Sequence, residues 1–148
     1  TLSFNRKVNF KNIPLLVEGC NKETLDKIIS LAKIFSENVI LMKSDQRLVC
    51  HLSAIFANNF TNHLIFNSEE ILKKFNIDPV ILQPLIHETI SKIKSISTSA
   101  AQTGPAVRND LITIKKHLRF LKNNNLNNIA DIYKVLSKSI IKNKQNEL

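Results

Sequence analysis

The chain of 148 residues has no tryptophan, one tyrosine, one methionine, two glycines, four prolines and two cysteines. Each shortage excludes something. Gly19 and Gly104 are too few and too far apart to make the glycine-rich turn that cradles a dinucleotide. With Tyr133 as its one tyrosine and its phenylalanines at core-like positions, the chain offers no stacking platform for single-stranded nucleic acid. Cys20 and Cys50 form neither a CxxC pair nor a repeated spacing. They are expected as two buried, reduced thiols of a cytoplasmic protein. No apolar run approaches the ~20 residues that a membrane span needs, and no signal-peptide pattern opens the chain. The one methionine, Met42, is internal, so the sequence reads as processed or as a piece of something longer.

What is present is globular in composition, 43% hydrophobic and 22% charged, and long enough to bury a core. The formal net charge is +9, from 21 basic and 12 acidic residues. Such a balance is compatible with an acidic partner. The lysines are scattered, however, and asparagine and isoleucine are abundant, the composition that an AT-rich coding sequence gives. Lys134, Lys138 and Lys142 form a stripe at successive four-residue steps, expected as a solvated face and not a nucleic-acid footprint.

Residues 12–19, "NIPLLVEG", read as a short strand closed by Gly19. Asn21 is placed to cap a helix over about 22–36, and "NVILM" at 38–42 reads as a second buried strand. Strand, helix and strand within this length form a right-handed parallel crossover, the last part of a larger sheet. From about Asp45 the pattern is helical only. Residues 46–75 carry neither glycine nor proline, which predicts one very long helix breaking near Asn67 or Ser68. Pro79 belongs in the first turn of the next helix, capped by Asp78 and running to Ser97, with Pro84 near its start. "STSAAQTGP" is expected as a loop. Asn109 or Asp110 caps a helix over 111–122, "KNNNLNN" is a polar connection, and a last helix spans 128–143 before a fraying tail, "KQNEL". The fold class is therefore mainly α, with residues 1–44 as the end of a sheet domain and 45–148 as a helical domain.

On a helical wheel, Leu48, Leu52, Ile55, Phe56 and Phe60 share one broad face, and Asn59 and His63 fall in its middle. His51, Asn58 and Asn62 cluster at its rim. Either this is a buried polar network that fixes helix packing, or the face borders a cleft where carboxamide and imidazole groups polarise a carbonyl or move a proton. His87 and His117 are lone histidines, and "HET" at 87–89 lacks the second histidine of a zinc-protease helix, so no metal site is assigned. In "AAQTGPAVRND", Gly104 permits a positive φ and Pro105 stiffens the turn. A helix start beside Arg108 then suits an anion; an interhelical turn locked by an Arg–Asp pair is the structural alternative.

"HLSAIFANNFTNHL", "LQPLIHETISK" and above all "AQTGPAVRNDLITIKKHL" resemble the C-terminal helical domain, of unknown function, of a family of bacterial oxidoreductases in which a Rossmann NADP-binding domain comes first. "TLSFNRKVNFKNIPLLVEG" resembles the end of that Rossmann domain. The family is similar to pyrroline-5-carboxylate reductase and the 6-phosphogluconate dehydrogenase superfamily. The resemblance implies a helical bundle of that superfamily's C-terminal-domain type that closes a substrate cleft and makes a homodimer. It implies NADP, bound mainly by the preceding domain, and reduction of a small carbonyl or imine. His51 and Asn59 become the catalytic candidates; Asn62, His63, Thr103, Gly104 and Arg108 become the substrate-binding ones, with Arg108 gripping a carboxylate. The superfamily's hydroxyacid dehydrogenases place a lysine one turn before an asparagine, whereas His51 is followed by Ile55 at that spacing. A non-catalytic helical dimerisation or regulatory module is the alternative.

Overall fold

The computed structural model describes residues 7–146. Two strands, β1 (Leu15–Val17) and β2 (Val39–Leu41), flank helix α1 (Lys22–Phe35) and pair in parallel with Leu15 opposite Val39 and Val17 opposite Leu41. Helices follow: α2 (Ser44–Ala54), a π-helical segment (Ile55–Phe60), α3 (Thr61–Lys74), a 3-10 turn (Pro79–Leu82), α4 (Gln83–Ser95), α5 (Thr98–Ala101), α6 (Leu111–Asn123) and α7 (Asn127–Gln145). The chain is mainly α, as the sequence predicts, after a short parallel β–α–β start. It forms two compact units, Thr1–Ile65 and Phe66–Leu148. No helix among the described residues is long and apolar enough to cross a membrane.

In the first unit the local chemistry is capping and close approach. Asn21 Oδ1 accepts from Thr24 N at 2.8 Å and starts α1, satisfying one of the amides left free at a helix start. Ser36 ends it. That serine is 2% exposed, and its hydroxyl donates to Ile13 O at 2.6 Å and accepts from Asn38 N at 3.0 Å. One side chain thus joins the approach to β1, the end of α1 and the entry to β2. Gly19 occupies the β1–α1 turn with no clearance: a Cβ there would lie 2.6 Å from the backbone nitrogen of Leu25. Glu18 takes a hydrogen bond from Ser44 Oγ at 2.7 Å and an ion pair from Arg47 at 2.8 Å. The Ser44 hydroxyl, then the Arg47 charge, hold its carboxyl below the usual glutamate range. Both thiols are exposed and not buried. Cys20 sits in the turn that leads into α1, and Cys50 faces outward on α2 with its sulfur 3.5 Å from that of Met42.

The predicted long helix runs past Asn67 and Ser68 without a break. Its irregularity lies earlier, at Ile55–Phe60, where the winding loosens to a π-helix. Composition carries no signal for this, because π winding needs neither glycine nor proline.

In the second unit, Asp78 caps the 3-10 turn through Val80 N at 2.9 Å, and Pro84 lies in the first turn of α4. The expected "STSAAQTGP" loop contains a helical turn, α5, because Ser97 Oγ caps it through Ala100 N at 3.2 Å. Asn125 takes a positive φ of 58° in the polar connection, and Leu126 N returns to Leu121 O at 2.9 Å, closing α6 as left-handed asparagines do. α7 then packs on α6. Ile114 and Leu121 of α6 and Ala130 and Ser137 of α7 are the buried residues of these two helices. α7 continues through Gln145, into the stretch expected to fray; Glu147 and Leu148 lie outside the described residues, as does "TLSFNR" at the other end.

Ser36→Ala tests the corner. It leaves the partners of a buried hydroxyl without a bond, so a loss of roughly 1–3 kcal/mol in urea unfolding is expected. A change below about 0.5 kcal/mol would show that the corner does not need it.

Candidate functional site

The first group of predicted site residues lies on α2, the π segment and α3. His51 is near the end of α2, Asn59 inside the π segment, and Asn62 and His63 in the first turn of α3. All four are exposed in the chain, so they are not the interior of a closed packing network. The π winding changes how they are arrayed. An i→i+5 turn carries one more residue than an i→i+4 turn, so residues on either side of 55–60 do not share the single regular wheel used to group them. Within the segment, Asn58 Nδ2 donates to Asn59 Oδ1 at 3.3 Å, and Thr61 Oγ1 reaches back to Phe56 O at 3.3 Å. The rings of Phe56 and Phe60 meet edge to face, with centroids 5.0 Å apart. Two carboxamides therefore stand side by side among exposed aromatic rings, a surface able to hydrogen-bond one planar polar group.

The second group lies between α5 and α6. Gly104 has φ +105°, and nothing lies within 4 Å of where its Cβ would be, so its backbone and not crowding calls for glycine. Asp110 N donates to Pro105 O at 2.9 Å and Asn109 N to Ala106 O at 3.1 Å, winding residues 105–110 into a tight corner around buried Ala106. Asp110, rather than Asn109, is the cap of α6: Oδ1 accepts from Thr113 N at 3.0 Å and Oδ2 from its hydroxyl at 2.7 Å. Those two bonds, the backbone one first, hold the Asp110 carboxyl below its usual range; the Arg108 charge adds a smaller effect. The anion at this helix start is the chain's own aspartate. Arg108 is exposed and makes no ion pair among the described residues.

Thr103 opens on a hollow of about 570 Å³ that the sequence did not indicate, walled by Leu85, Glu88, Lys92 and Ile93 of α4, by Ala101, and by Gln102. Its residues come from three separate stretches, so no spacing along the chain announces it. His117, read as structural, pairs its Nδ1 with Tyr133 Oη at 2.9 Å across α6 and α7. Among the described residues, no group of three His, Cys, Asp or Glu side chains gathers as a metal would require.

Residues 13–140 match the family described as "Domain of unknown function (DUF2520)", and the chain belongs to that family. It is similar to the crystal structure of "putative NADP oxidoreductase BF3122 from Bacteroides fragilis", with 38% identity, a TM-score of 0.87 and 96% of this chain covered. It shares the fold of protein TM1727 from Thermotoga maritima, with 21% identity, a TM-score of 0.72 and 93% of this chain covered. The chain spans 54% and 56% of those two proteins. No curated protein matches it.

The Gly104 corner has a direct test. Gly104→Ala places a side chain on a left-handed backbone, which costs on the order of 1–3 kcal/mol. A lowered melting temperature with an unchanged far-ultraviolet spectrum is the expected result. An unchanged melting temperature would mean that the turn relaxes freely.

Proposed function

We propose that this chain is the C-terminal part of an NADP-dependent oxidoreductase that reduces a small carbonyl or imine, with its helices on the substrate side. The observation that carries this reading is the 38% identity over nearly the whole chain to a protein described as an NADP oxidoreductase. The family resemblance of the Thr103–Asp110 corner supports it.

The residues present do not fit a dinucleotide by themselves. A pyrophosphate cradle needs a glycine-rich strand-to-helix turn; of the two strand-to-helix turns among the described residues, β1 to α1 holds the single Gly19 and β2 to α2 holds no glycine. NADP would be held mainly by a domain ahead of residues 1–44, which we take as the end of a Rossmann sheet, and this chain alone is inactive. No hydride step is assigned to its residues.

Its own residues take the substrate's polar groups. Arg108, exposed and without an ion pair among the described residues, grips a carboxylate; Asp110 does not hold it, since its carboxyl is engaged by Thr113. Thr103 and the Gly104 turn shape that contact. By the family resemblance, His51 and Asn59 are the residues proposed to polarise a carbonyl or imine and move a proton, and Asn62 and His63 are further proposed substrate-binding residues.

The experiment is NADPH consumption, over a panel of 2-oxo acids and cyclic imines, by this chain joined to its nucleotide-binding domain. Arg108→Ala is expected to raise KM about ten-fold, equivalent to one charge-assisted contact, with the melting temperature unchanged. His51→Ala and Asn59→Ala are expected to lower kcat by about a hundred-fold. No consumption with any member of the panel, or an Arg108→Ala variant that loses stability without a selective effect on KM, would overturn the reading and favour a non-catalytic module. The same reading makes the helical part a homodimer interface. Light scattering at micromolar concentration should then give twice the 16.8 kDa chain mass, and a monomeric mass would refute dimerisation.

A further inference from the structure

The hollow beside Thr103 brings two opposite charges to one apolar wall and leaves both unpaired. Glu88 and Lys92 lie one turn apart on α4, in the acid-before-base order that favours an i,i+4 ion pair. Among the described residues neither takes part in one, whereas Glu23 and Lys27, at the same spacing on α1, close to 2.6 Å. Spacing alone therefore does not keep the α4 pair open. Both side chains line the hollow, with Lys92 half-buried. Beside them stand Leu85, 63% exposed, and Ile93, 41% exposed, apolar surface that a bound molecule would cover. The threonines Thr98 and Thr103 complete the rim. The volume of about 570 Å³ lies within the roughly 300–1,000 Å³ of small-molecule sites.

We infer that this hollow binds a small zwitterion, a free α-amino acid with an apolar side chain. Glu88 takes the ammonium group, Lys92 the carboxylate, and Leu85 and Ile93 the side chain. The two side chains leave the helix about 5–6 Å apart, so a head group carrying both charges on neighbouring atoms fits between their tips. Each contact is then charge-assisted. A ligand with only one charge would leave the other protein charge facing it without a partner, which is the basis for rejecting it. Binding also shields Leu85 and Ile93 from water, an apolar contribution that a larger aliphatic or aromatic side chain increases.

The inference names a ligand class for the place onto which Thr103 opens, and rests on the preceding proposal only in treating Thr103 as part of a binding site. Its test uses neither NADP nor turnover, so either idea can fail without the other. Amide chemical shifts of the 148-residue chain would be followed during titration with L-valine, L-leucine and L-phenylalanine, and with two single-charge relatives of leucine, its methyl ester and isocaproate. At least one of the three amino acids should saturate with Kd near about 1 mM or tighter, with shifts at Glu88, Lys92 and Thr103. The methyl ester and isocaproate should each bind about ten-fold more weakly than leucine, one charge-assisted contact having been lost. Glu88→Gln should weaken amino-acid binding about ten-fold without weakening that of isocaproate. Lys92→Met should weaken amino-acid binding equally without weakening that of the methyl ester. No saturable binding of any amino acid at about 10 mM would overturn the inference. Equal binding of leucine and its two relatives would also do so, because the hollow would then be apolar only.

Discussion

The first unit depends on one hydroxyl. Ser36 is nearly inaccessible, and its oxygen serves both as donor to Ile13 O and as acceptor from Asn38 N. Those are the backbone groups just before β1 and just before β2, so the bond pair sets the strands' separation and register at the end where the sheet begins. At the other end the fit is steric, with Gly19 pressed against the backbone of Leu25. Between a hydrogen-bonded corner and a contact with no free space, a sheet of two three-residue strands is held in one geometry, although two strands that short have little stability of their own. The Glu18–Ser44–Arg47 contacts carry that geometry on to the start of α2.

Much of this was legible because capping is local. Asn21 and Asp78 announced helix starts and each makes the bond expected of it, and of the two candidates Asn109 and Asp110 the structure selects Asp110. Gly104 before Pro105 signalled a left-handed residue, and its φ is +105°. What was not legible depends on contacts between distant positions or on winding. Ser36 reads as an ordinary helix end until Ile13 and Asn38 are brought to it. The π segment follows from no residue type, and it alters the grouping of His51, Asn59 and His63. The hollow of Glu88, Lys92 and Thr103 is assembled from separate stretches. The thiols were expected inside because cysteines usually are, yet the positions of Cys20 and Cys50 on a turn and an outer helix face leave both accessible.

The helices bury little between themselves. α2, α3 and α4 have no fully buried residue, and the α6–α7 contact is made by a few side chains, two of them small. Leu48, Leu52 and Phe56 remain more than half exposed, as do Val80, Leu85, Ile112 and Val135. Isolated apolar residues on a surface are ordinary, but so many along successive helices resemble the half-cores that obligate assemblies bury. This supports reading the helical part as a surface built to be covered, by a second copy or by the rest of a longer protein.

The π-helical segment has one more consequence, for insertions and deletions. A loop tolerates a change of length because its ends stay put, but a helix transmits it: one residue more or less turns everything beyond by about 100°. Residues 55–60 sit between two helices of regular winding and already hold the surplus that such a change would remove. A single-residue deletion there would be absorbed as regular α-helix, and because the residue lost is the one the π turn carries in excess, the side chains of α3 would keep their directions. Relatives one residue shorter at this stretch would therefore keep both the helix and the faces of α3, with the change confined to the segment itself.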